Sequence, residues 1–136
     1  GKSDAPLMAK RLADKKFKID ALVSSPAIRA KKTAELFSET LKMPAAGIIF
    51  ISALYHASPE IFYEVVSGLP DELDIVAVFS HNPGISYFIN SLNTNTRIDN
   101  MPTCGIFGIT AAITSWSGFS KAKKEFLFFD YPKNVF

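Results

Sequence analysis

An α/β fold is predicted for this chain, and three observations predict it. Short apolar runs, IDALVSS, GIIFIS and DIVAVFS, recur along the sequence. Each is followed by turn residues, and the stretches between them carry apolar residues at steps of three and four. Strand-length apolar runs alternating with helical periodicity imply a sheet covered by helices.

Taken in order, Ser3 or Asp4 can cap a first helix, with Pro6 in its first turn and Met8, Leu12 and Phe17 as its inner stripe. Ile19 to Ser25 reads as a buried strand. Ser25-Pro26 then signals a helix start, with Ser as cap and Pro in the first helical position. Ala27, Ala30, Ala34, Phe37 and Leu41 give that helix one buried face through about residue 41. Gly47 to Ser52 is the next strand, and Ser58-Pro59 opens a helix that ends near Gly68. Asp74 to Ser80 is a third buried strand, and Pro83 to Leu92 a third helix of this kind. TCGIFGITAAI and KKEFLFFD are two further strand candidates around Trp116, which points to an antiparallel edge late in the chain.

With 136 residues, 48% of them hydrophobic, and neither a repeat nor a linker, residues 1–136 are expected to form one domain. No apolar run has the length of a membrane span. One cysteine and two histidines exclude a disulfide framework and are too few soft ligands for structural zinc; the lone Cys104 fits a reducing, cytoplasmic setting. Net charge is +2, but residues 1–42 carry ten Lys/Arg against five Asp/Glu. The lysines of KRLADKKFK are read as a solvated helix face, because nucleic-acid binding calls for a denser basic stripe. Gly1 opens the chain without a signal or targeting pattern.

Ligands of open α/β sheets bind beyond the carboxyl ends of the strands. Two strand ends here are unusual. SSPAIRA puts Arg29 about one turn into a helix, and SHNPG puts His81 at a strand–helix join. A single arginine early in a helix is ordinarily solvated, and a histidine after a strand is ordinarily structural. Together, at equivalent ends of one sheet, they suggest an anion site in which a guanidinium fork works beside free helix-start amides.

SSPAIRAKKTAELF and VFSHNPGISYFI resemble signatures of the histidine phosphatase superfamily, the phosphoglycerate mutase-like proteins. The closest likeness is to the small SixA-like branch of phosphohistidine phosphatases. GKSDAPLMAKRL, LYHAS, MPTCGIFGI and FDYPK also look like that branch. The resemblance implies a three-layer α/β/α fold with a mostly parallel sheet and one late antiparallel strand. It also implies phosphoryl transfer without metal or other cofactor, through a transiently phosphorylated histidine. Carried over by motif, Arg29 is a phosphate-clamping arginine and His81 the second histidine of the site. Asn82 orients the His81 loop, and His56 in LYHAS is a candidate at the pocket rim, able to assist proton transfer. Cys104 is expected to be a packed thiol rather than a nucleophile.

The family's nucleophile lies in an Arg-His-Gly or Arg-His-Ala triplet on its first strand, and neither triplet occurs in this sequence. A preceding segment of roughly 25–30 residues, a strand plus its loop, is therefore expected. In the family that strand lies between the strand ending at His81 and a later antiparallel one, here within Thr103 to Ile113. Those two should then stand roughly 10 Å apart instead of about 4.8 Å. The implied function is a phosphatase acting on phosphohistidine in a partner protein. The alternatives are a phosphomonoesterase of a small metabolite and a non-catalytic phosphoprotein-binding module.

Overall fold

The computed structural model describes residues 4–134, so Ser3 as a cap lies outside the described residues. In chain order the elements are α1 (Asp4–Asp14), β1 (Ala21–Ser24), α2 (Ile28–Thr40), β2 (Ile49–Phe50), α3 (Pro59–Ser67), β3 (Val76–Phe79), α4 (Gly84–Ser91), β4 (Ile106–Ala111) and β5 (Lys124–Asp130). β1 is central in a parallel sheet of order β2-β1-β3, while β4 and β5 form a separate antiparallel pair. The mixed α/β class predicted from sequence is the one observed. The late antiparallel part is a two-stranded ribbon.

Period-two alternation along β1 builds the layers. Leu22 faces a cluster with Met8, Leu12, Ala34 and Phe37 from α1 and α2. Val23 faces the opposite cluster, with Phe62, Val66 and Phe88 from α3 and α4. Ala77 and Phe79 of β3 pack with the first cluster, and Val76 and Val78 with the second. The ribbon continues both layers, since Ile106 packs with the first and Ile109 with the second. The result is α/β/α.

Two expectations about element ends are corrected. Pro26 is not in the first helical position: α2 starts at Ile28 with Ala27 as its cap. The Ser25 hydroxyl accepts a hydrogen bond from the Ala27 N–H at 3.1 Å, closing a turn before the helix begins. Phe17 is not part of the α1 stripe, because Lys16 takes a left-handed φ of 63° after the helix ends. Phe17 stacks instead on Phe128 of β5, with ring centroids 6.1 Å apart.

β3 and β4 do not pair. They are nevertheless tied at both ends. The Asn82 side-chain amide donates to the Met101 carbonyl at 2.8 Å, just beyond β3 and just before β4. The Trp116 indole N–H donates to the Leu73 carbonyl at 2.7 Å at the other end. The two strands therefore run antiparallel to each other across a gap. The Ile75 and Phe79 carbonyls accept from Asp20 and Ser25 on the β1 side. By alternation the backbone groups of Val76 and Val78 face the gap, where they have no backbone partner among the described residues.

The gap belongs to a cavity of about 1300 Å³ whose walls include Val76, Val78, Ile106 and Ile109. Asp74–Ser80 and Thr103–Ile113 thus do not pair, and residues of both line one cavity.

Candidate active site

The site begins where β1 stops. Ser24 and Ser25 are fully buried, and the Ser24 hydroxyl donates to the Ser25 carbonyl at 2.8 Å. This tight turn leads into α2, whose Ala27 cap offers no side-chain hydrogen bond and whose first turn has no acidic residue. The first amides of α2 are therefore not capped by any side chain of their own helix, and they sit at the positive end of its dipole. Arg29 stands exposed in that first turn, and no bond to its guanidinium is found among the described residues. Free amides beside a free guanidinium suit an oxyanion.

His81 stands just past β3. Its carbonyl accepts from the Ile85 N–H at 3.2 Å, which fixes it to the start of α4. Its ring Nδ1 is buried without a hydrogen-bond partner among the described residues. Arg29 and His81 line the same cavity, the one that contains the open slot. The two main sequence candidates thus border one cavity, each just past the carboxyl end of one of the neighbouring strands β1 and β3.

Asn82 is used structurally as well. Beyond its bond to Met101, its side-chain oxygen accepts from the Ser86 hydroxyl, and that hydroxyl in turn accepts from the Met101 N–H at 2.9 Å. The loop before β4 is thereby latched to the His81 loop. His56 is exposed and lines a smaller pocket of about 250 Å³ together with His81, Tyr55 and Tyr87. Its ring centroid lies 5.8 Å from that of His81. Cys104, half-buried in the wall of the large cavity, has its thiol pKa raised by burial, so it rests as a protonated thiol.

Sequence reasoning passed over Tyr55 and Tyr87, which flank His81, and Ile28, which is 76% exposed beside Arg29. The only sequence signal was position, since each neighbours a motif residue. Among the described residues no group of three His, Cys, Asp or Glu side chains could hold a metal ion. No helix among them is long and apolar enough to cross a membrane.

An arginine and a histidine thus stand just past neighbouring strand ends of an α/β/α fold. The comparisons specify it further. Residues 1–48 match the histidine phosphatase superfamily (branch 1). Over 98% of this chain and 82% of the other, the fold matches the protein histidine phosphatase SixA complexed with tungstate, at 25% identity and a TM-score of 0.80. Proteins bearing the name phosphohistidine phosphatase SixA from Nakamurella multipartitia and Agrobacterium tumefaciens share the fold. The first has 14% identity and a TM-score of 0.75, covering 97% of this chain and 81% of its own. The second has 19% identity and a TM-score of 0.76, covering 97% and 80%. No curated protein matches the sequence. The chain has the fold of the SixA-type histidine phosphatases, and the likeness read from its motifs extends over nearly its whole length.

Proposed function

We propose that this protein is a phosphatase that removes the phosphoryl group from phosphohistidine in a partner protein. The observation that carries the reading is that Arg29 and His81 follow the neighbouring strands β1 and β3 and both border one cavity. The SixA relative complexed with tungstate, a tetrahedral oxyanion like phosphate, supports it.

In this reading Arg29 and the α2 amides hold the phosphoryl oxygens, and His81 donates a hydrogen bond to the oxygen that gains charge. Residues 1–136 contain His56 and His81 as their histidines. The nucleophilic imidazole and a second clamping arginine are proposed to ride on a strand that occupies the slot between β3 and β4. Attack by that imidazole forms a new N–P bond as the substrate's N–P bond breaks, and the leaving imidazole nitrogen takes up a proton. Water then releases phosphate from the enzyme. His56, exposed and with its ring centroid 5.8 Å from that of His81, is the candidate donor of the leaving-group proton.

The test is hydrolysis of a histidine-phosphorylated protein by the full-length protein, with trapping of an acid-labile phosphoenzyme. Turnover without a phosphoenzyme would overturn the covalent route. Absence of turnover with retained binding of the phosphoprotein would favour a binding module instead.

A further inference from the structure

We propose that Tyr55, His56 and Tyr87 form a pocket beside His81 for an aromatic nitrogen heterocycle, the imidazole of the phosphorylated histidine. The inference rests on the phosphatase reading and adds how the site selects its leaving group. Three rings carry it. Tyr55 and His56 lie 4.5 Å apart at 87°. Tyr55 and His81 lie 6.1 Å apart at 75°, and His56 and His81 lie 5.8 Å apart at 80°. Three planes that are pairwise nearly perpendicular make the corner of a box. A flat ring seated there lies against one face and meets the other two edge-on, the arrangements that aromatic quadrupoles favour.

Tyr87 supplies a further wall of the same pocket of about 250 Å³. Tyr55 and Tyr87 are 47% and 62% exposed, and neither hydroxyl has a hydrogen-bond partner among the described residues. Neither ring is therefore held there by the demands of the core. Tyr55 and His81 line both this pocket and the large cavity with Arg29. A ligand with its phosphoryl group at Arg29 can thus extend its ring past His81 into the corner.

The pocket is also built in. A Cβ on Gly84 would come within 2.7 Å of the Ala57 carbonyl oxygen, so only glycine lets the start of α4 press this closely on the loop bearing Tyr55 and His56. That contact sets the distance between the walls. An alkyl or ammonia leaving group would find no matching surface there, whereas an imidazole would.

The experiment compares two N–P substrates of the full-length protein, one with a ring and one without: free phosphohistidine and phosphoramidate. Replacing Tyr55 or Tyr87 by Ala should lower the kcat/KM ratio of phosphohistidine over phosphoramidate by about tenfold, and Phe at either position should restore it. Because the ratio is internal to each variant, partial misfolding cancels. An unchanged ratio overturns the proposal. Independently of activity, titration of the wild-type protein with imidazole should shift the ring-proton resonances of both tyrosines, and no shift would overturn it as well. If the wild type hydrolyses neither small substrate, the imidazole titration alone decides the ring pocket, and the phosphatase reading fails only if a histidine-phosphorylated protein is not hydrolysed either.

Discussion

Asn82 and Met101 are joined by a 2.8 Å hydrogen bond across the mouth of a gap where their strands never meet. With the Trp116–Leu73 bond at the far end, it holds β3 and β4 in register without a ladder between them. A slot that is pinned at both ends and open between is thus part of the fold. Arg29 and His81 both border the cavity it belongs to.

Trp116→Phe keeps most of the apolar packing but removes the donor to the Leu73 carbonyl. The variant should lose about 1–3 kcal/mol, the higher figure applying if the carbonyl stays dry and unpaired. Urea unfolding measures this directly, and an unchanged midpoint would show that water replaces the indole at no cost.

Arg29→Ala should separate activity from stability. The side chain is exposed and bonded to nothing among the described residues, so folding should change by no more than about 0.5 kcal/mol. Hydrolysis of phosphohistidine should fall by about two to three orders of magnitude, as for loss of a transition-state clamp. Equal turnover in mutant and wild type would return Arg29 to the role of a solvated helix residue.

Asp20 gives the fold a pH dependence with a definite sign. Its carboxylate accepts from the Asp74 N–H at 2.8 Å and the Ile75 N–H at 3.0 Å, tying the start of β3 to the start of β1. The Ile75 amide, then the Asp74 amide, hold its pKa below the usual carboxylate value. A folded-state pKa below the unfolded one means that the stabilisation is complete above the unfolded value. It is lost as pH falls through the folded one. Asp20→Asn, which keeps an acceptor that cannot titrate, should show a smaller stability loss than wild type between pH 6 and pH 3. Parallel acid-unfolding curves for the two proteins would contradict this.

The alternation of strands and helices was legible because burial on both faces writes continuous apolar runs and helices write steps of three and four. Arg29 and His81 stood out as candidates because each breaks a local rule at a strand end. Boundaries were less so. Ile19–Ser25 shortened to Ala21–Ser24, although the Asp20 and Ser25 amides still donate to the Ile75 and Phe79 carbonyls at either end of β3. The Ser25-Pro26 start failed because the Ser25 hydroxyl is spent on Ala27, a choice that local sequence does not show. The ring corner was hidden for another reason. Tyr55 and His56 meet His81 where Gly84 abuts Ala57, a contact between residues far apart in sequence.

Filling the slot should change two observables at once. The backbone amides of Val76 and Val78 face the gap without backbone partners among the described residues, so in residues 1–136 alone they should exchange with deuterium quickly for a central element. Cys104 lines the same cavity; burial raises its thiol pKa, so alkylation at neutral pH should be slower than for a free thiol. A strand seated between β3 and β4, carried by a longer form of the chain or added as a peptide, would bond those amides and cover that sulfur. Exchange at both valines and alkylation of Cys104 should then slow together by at least tenfold. Peptides that bind but protect neither would occupy some other surface. Protection of Cys104 with fast-exchanging valine amides would mean that the slot takes an apolar ligand that does not pair as a strand, and the proposed position of the nucleophile would fall with it.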